Sequence, residues 1–282
     1  MESPRTGLLE IDWKSEELPT LPAVAHRLMA LASGEEASAA ELTEILGQDP
    51  SLTLKILRAA NSALFALSVE VTSVRQAVVF LGMDEVRRIA LGSVLAERFL
   101  TVGPEMRPHA EALWRHSLAA AVLARELRGE ADDPVLDRYT LALLHDMGWL
   151  VALAQAPEVY RGIAAEAGGA DTAGETAWGV DHRLWGARLA ETWGLPEPFQ
   201  VVAFHHHAPL EDFDPPGYIL DVALADHLAL DLGFGPGVET PGPLPEGFLE
   251  VLGMPPDDFE ALRERARDLA PRIEEHWRLF QA

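Results

Sequence analysis

The chain contains no cysteine. Disulfides, thiolate zinc sites and cysteine nucleophiles are thereby excluded, and any metal must be held by histidine and carboxylate. Lysine is nearly missing too, with Lys14 and Lys55 standing alone among basic residues that are otherwise arginine. No run of about 18 apolar residues occurs, and Met1 to Lys14 has no apolar signal core, so the chain reads as soluble and cytoplasmic with no membrane partner. Positive charge is scarce overall: 22 Lys and Arg face 45 Asp and Glu, a formal net charge of −23. Such a chain repels a phosphate backbone at long range, which argues against nucleic acid as a partner. A local arginine patch can still hold a small phosphorylated ligand.

An apolar content of 48% is ample for a core, and 24% charged residues is ordinary for a folded chain. Strand-like alternation is missing and amphipathic helical periodicity dominates, so the fold class is all-α. Helices are expected over Pro22–Ala32, from Ser38 to about Gln48, over Pro50–Asn61, from Ser73 to Gly82, and from Asp84 to Phe99. Ser38 with Glu41 forms a capping box, Asp49 caps a helix whose first position is Pro50, and Ser73 caps the short fourth helix. Asn61 is read as a helix C-terminus tolerant of left-handed geometry. Gly103-Pro104 marks the candidate boundary between an N-terminal helical subdomain (1–103) and a second helical bundle (104–282) packed on it. Beyond it, helices are expected near Pro108–Arg128, Val135–Ala154, Pro157–Ala167, Val180–Trp193, Glu197–His206 and Pro216–Asp231. A last stretch, Asp257–Phe280, should kink or split at Pro271. Gly235 to Gly247 is the least regular segment.

The ionisable residues of the second part carry the chemistry. His145-Asp146 follow the apolar run Leu141 to Leu144, with His116 on an earlier helix, His182 on a later one and His205, His206 and His207 near another helix end. Asp226 sits inside the apolar stretch Val222 to Leu230, where an unpartnered carboxylate is costly. Imidazoles and carboxylates without thiolates suit divalent Fe, Mn, Ni or Zn. Two such ions close together can bridge a water, lower its pKa and clamp a phosphoryl group. His116, His145, Asp146, His182, His205, His206 and Asp226 have the number and types for such a binuclear site, with Asp146 the best catalytic candidate. Two ligands from the histidine run suffice, and His207 is taken as the bystander. Arg115, Arg183 and Arg188 lie beside these residues as candidates for phosphate oxygens, or as partners for the many acidic groups. Trp149 is read as core, with a place from which it can also shield the site.

The order H…HD…H…HH…D resembles the HD phosphohydrolase superfamily and, in histidine count, its HD-GYP branch. The phrases "LPTLPAVAHRLMAL", "ILGQDPSLTLKILRAANSALF" and "VTSVRQAVVFLGMDEVRRIAL" resemble the HDOD family of bacterial signalling modules, continued by "LLHDMGWL", "DHRLWGARLAETWGLPEPFQVVAFHHHAP" and "VALADHLAL". The likeness runs from about Leu18 to Leu230. It implies an HD-like helical bundle, a divalent metal pocket and signalling protein partners. The chain departs from the HD-GYP pattern in having Trp149 in place of Lys, Ala112 in place of Glu and His207 in place of Glu, and in lacking a GYP loop. Three functions stay open: a regulatory module with a metal- or ligand-binding pocket, a metal-dependent phosphohydrolase of nucleotides or cyclic dinucleotides, and a scaffolding homodimer joined through apolar helix faces.

Overall fold

The structure is a computed structural model describing residues 9–13, 18–33, 38–128, 137–165, 175, 178–207, 215–239 and 242–281. Among these residues there is no strand. Helices α1 (Ala23–Ser33), α2 (Ala39–Gly47), α3 (Pro50–Ala60), α4 (Val74–Leu81) and α5 (Met83–Phe99) form the first part. The caps are made by the residues whose chemistry suits them. Ser38 Oγ accepts from Glu41 N at 3.1 Å, Asp49 Oδ1 from Ser51 N and Leu52 N at 2.9 and 3.1 Å, and Ser73 Oγ from Gln76 N at 3.2 Å. Gly82, at φ +88°, separates α4 from α5. The α5 helix is buried almost throughout, from Glu85 to Ala96, with α1, α3 and α4 packed on it.

The second part comprises α6 (Arg107–Arg128), α7 (Arg138–Leu144), α8 (Gly148–Gln155), α9 (Pro157–Ala165), α10 (His182–Thr192), α11 (Glu197–His205), α12 (Gly217–Asp231), the short α13 (Phe248–Val251) and α14 (Pro256–Gln281). The α6 helix is its spine, packing on α7, α12 and α14, while α8 lies on α10 and α10 on α11. The C-terminal α14 also reaches α3 and α5. No helix among the described residues is long and apolar enough to cross a membrane.

Two expectations are corrected. The single helix Val135–Ala154 is two helices, α7 and α8, joined by a tight turn through His145–Met147; its first two residues lie outside the described ones. The turn is held by bonds three residues apart, from Met147 N to Leu144 O and from Trp149 N to Asp146 O. Pro271 does not split α14, because Leu262, Ala266, Ile273 and Trp277 keep one buried face on both sides of it. Asn61 is the C-terminal cap of α3, as expected, at φ −89° and ψ 4° rather than in left-handed geometry. Its amide instead clamps the loop that follows, accepting from Val71 N and donating to Val71 O, both at 2.8 Å. The end of the helix expected to reach Ala167 lies outside the described residues.

Candidate metal centre

Adjacent residues on a continuous helix point about 100° apart. The turn after α7 removes that restriction and lets His145 and Asp146 face one buried space. His145 is the C-terminal cap of α7, and its Nδ1 lies 2.6 Å from Ala142 O; His206 caps α11 the same way, with Nδ1 3.1 Å from Val202 O and 3.0 Å from Ala203 O. Both rings thus face carbonyls in the last turn of their helices. His116, on α6, places Nδ1 2.8 Å from Phe234 O, and His182, opening α10, places Nδ1 2.6 Å from Glu175 Oε2. In each of the four rings Nδ1–H therefore donates outward, and Nε2 is left with a lone pair directed inward.

The four Nε2 atoms converge on Asp146. Its Oδ2 lies 3.3 Å from His116 Nε2 and 3.5 Å from His145 Nε2; its Oδ1 lies 3.2 Å from His206 Nε2 and 3.6 Å from His182 Nε2. Asp226 joins the first pair, with Oδ1 3.0 Å from His116 Nε2 and 3.6 Å from His145 Nε2. The imidazoles of each pair stand 3.3 Å apart at Nε2. One carboxylate thus divides the cluster into two halves, each offering two imidazoles and one of its oxygens.

All these side chains are buried. Asp146 Oδ1 and Oδ2 and Asp226 Oδ1 are buried oxygens with no hydrogen-bond donor. Lone pairs facing ionised oxygens in a dry interior are costly unless a cation lies between them. The buried donors form clusters able to hold a metal ion, His116, His145 and Asp146 in one and Asp146, His182, His206 and His207 in another.

The electrostatics agree. Burial disfavours charge on Asp146, yet His145, His116 and His206 override it and hold the carboxyl well below its ordinary range. Burial likewise opposes protonation of His116, but Asp146 and Asp226 hold its pKa well above the usual imidazole value. His182, buried but beside Glu175, is raised to about 10, whereas burial and the neighbouring His207 push His206 down to about 4. The cluster attracts positive charge, and a metal would enter it by releasing protons.

Six of the seven residues nominated from sequence meet here, and His205 does not. It lies beside the Phe204 ring, with centroids 4.9 Å apart, and feels the charge of Arg183. Its neighbour His207 turns inward instead, with Nδ1 3.8 Å from Asp226 Oδ2. The arginines are engaged elsewhere: Arg115 with Glu274 and across the Phe234 ring, Arg188 with Glu191, and Arg183 with Asp181 and the face of Phe204. Trp149 is fully buried, stacks on His182 at 4.9 Å and 10°, and donates from Nε1 to Glu239 Oε1 at 2.8 Å. Glu175 and Glu239 went unnoticed in the sequence. Neither falls at a telling spacing, and Glu239 lies in the irregular Gly235–Gly247 segment.

An all-helical fold enclosing a buried imidazole–carboxylate cluster defines a protein with a candidate metal-binding site. Residues 18–209 match the HDOD domain, and the chain belongs to the HDOD family. It is 28% identical over 210 residues to an uncharacterized protein of Treponema pallidum (strain Nichols), covering 71% of this chain but only 40% of that relative's length. Among solved structures, it resembles an HDOD domain protein of unknown function from Geobacter sulfurreducens at 25% identity, with a TM-score of 0.78 and coverage of 96% and 95% of the two chains. A Shewanella amazonensis SB2B protein provisionally named a phosphohydrolase is similar in fold, with a TM-score of 0.67 at 24% identity and coverage of 94% and 96%.

Proposed function

We propose that the protein is a regulatory signal-transduction module whose pocket holds two divalent ions and serves to bind a small phosphorylated ligand or to hold the fold for a signalling partner. The observation carrying this reading is the division of Asp146 between two imidazole pairs, in a site walled by Trp149 and Glu239. His116, His145, Asp226 and Asp146 would hold one ion, and His182, His206 and Asp146 the other. Iron, manganese, nickel and zinc all suit this donor set.

A second reading, a metal-dependent phosphohydrolase of nucleotides or cyclic dinucleotides, is favoured by the completeness of the donors. Such ions, when bound, supply an activated water and neutralise phosphoryl charge. This chain's own side chains would have to do the rest. Glu175 and the carbonyls of Phe234, Ala142 and Ala203 orient the imidazoles through Nδ1, and the Trp149 ring excludes water from the His182 side. A leaving oxygen and the charge that develops in the transition state also need donors, and loss of one typically costs about 10²–10³ in rate. Arg115, Arg183 and Arg188 are each committed to another group.

The test is to load the protein with Mn, Fe, Ni or Zn and assay cyclic dinucleotides, cyclic mononucleotides and aryl phosphodiesters, measuring ligand binding in parallel. Metal-dependent binding without multiple turnover is expected. Steady turnover that vanishes in Asp146→Ala would replace the regulatory reading with the enzymatic one.

A further inference from the structure

The segment after α12 crosses the metal centre and is pinned along its length. Gly233, at φ +81°, turns the chain, and Phe234 N bonds back to Ala229 O at 2.9 Å. Phe234 O accepts His116 Nδ1–H, Tyr160 O–H donates to Pro236 O at 3.1 Å, and Val238 is fully buried. The segment then delivers Glu239. One oxygen of this carboxylate accepts the Trp149 N–H and lies 3.9 Å from His182 Nε2; the other lies 3.5 Å from His207 Nε2, buried and without a hydrogen-bond donor. The carboxylate thus has one hydrogen-bond donor, the Trp149 N–H, and the His207 ring 3.5 Å from its other oxygen. It stands beside two imidazoles, one of which, His182, is among the nitrogens that face Asp146 Oδ1.

We infer that Glu239 is a ligand of the second cation, reaching it beside His182 from beyond the residues that match the family, so that an anionic guest reaches this cation by displacing the Glu239 carboxylate. The inference rests on the two-ion reading above. His207 lies where it can steady Glu239 and Asp226 together, 3.5 Å from one and 3.8 Å from the other. Trp149 orients the carboxylate through its N–H while stacking on His182, so one indole positions two ligands of the same ion.

The test uses the full chain as wild type, Glu239→Gln and Trp149→Phe, stripped and reloaded with zinc, with bound ions counted by elemental analysis and affinities read by competition with a chromogenic chelator. Glutamine keeps the volume and an acceptor for the Trp149 N–H but removes the charge. Wild type should bind two ions. Glu239→Gln should hold one at wild-type strength and the other at least about 10- to 100-fold more weakly, the range that loss of an outer-sphere partner alone can cost. Trp149→Phe, which keeps the carboxylate and loses only the N–H that positions it, should weaken the second ion less than Glu239→Gln does. At zinc concentrations that fill both positions, Glu239→Gln should bind inorganic phosphate more tightly than wild type in calorimetry. A wild type with fewer than two ions would sink the two-ion reading itself. Two equally bound ions in wild type and Glu239→Gln would overturn the assignment of Glu239. Equal loss in Trp149→Phe would reduce its effect to packing and overturn the assignment as well, and unchanged phosphate affinity would overturn the displacement.

Discussion

At the scale of single residues, three consecutive histidines separate by what their rings touch. His206 turns back onto the last carbonyls of α11 and presents Nε2 to Asp146, His207 reaches Asp226 and Glu239, and His205 faces Phe204 and Arg183. A ligand that binds only the folded state raises stability by mass action, by about 2.7 kcal/mol at 100 times its Kd. Adding zinc or manganese to stripped protein should therefore raise the melting temperature by several degrees. His205→Ala should leave that increment intact, His207→Ala should reduce it, and Asp146→Ala should abolish it. Thermal melts of the four proteins with and without metal decide this. An equal increment in Asp146→Ala and wild type would refute the bridging role. The sequence singled out six of the converging residues by their types and order along the chain, but it took His207 for the bystander where the structure sets His205 apart.

At the scale of elements, the site depends on how closely α8 approaches α10. A Cβ built on Gly148 would lie 1.7 Å from the carbonyl oxygen of His182 and 2.8 Å from Gly186 N. Both obstacles are backbone, so Gly148→Ala must push the two helices apart. Overpacking of this kind typically costs about 1–3 kcal/mol, occasionally more. Because the obstructing carbonyl belongs to His182, Gly148→Ala should also weaken binding of the second ion more than the first. Chemical denaturation and metal competition on this variant check both effects; wild-type stability and affinity would show that the close approach does not matter. In the sequence Gly148 falls inside the expected Val135–Ala154 helix. Its contact lies 34 residues downstream, beyond the reach of any local pattern.

At the scale of the whole molecule, Glu85 ties the first part to the second. It lies on α5, with Oε2 2.5 Å from Arg125 Nη1 on α6 and Oε1 3.9 Å from His276 Nε2 on α14. Burial alone would raise its pKa, but His276 and Arg125 more than offset this and lower it from 4.5 to about 2. A carboxyl with a depressed folded-state pKa binds fewer protons folded than unfolded between those values. Its contribution is therefore complete above pH about 4.5 and is lost as pH falls towards 2. Glu85→Gln should be less stable than wild type near neutrality, and the gap should narrow as the solution is acidified through that window. Acid titrations of unfolding free energy for the two proteins measure it; a gap constant from neutrality to pH 2 would show that the ionised form carries no special stability.

What the sequence determined by itself is what depends on near neighbours. Helical content follows from period-3.6 patterning, and the starts of α2, α3 and α4 from the side-chain oxygens of Ser38, Asp49 and Ser73. The lack of cysteine confines any metal to nitrogen and oxygen donors, and the order of histidines and aspartates along the chain marks the helices that meet. The tertiary structure decided what depends on distant partners. It broke the expected 135–154 helix so that His145 and Asp146 share one space, carried Glu239 to Trp149 across 90 residues, and drew Arg115, Arg183 and Arg188 to other groups. Patterning specifies which face of a helix is apolar, whereas the direction of a polar group at a helix end or in an irregular segment is set by the neighbours that packing brings to it.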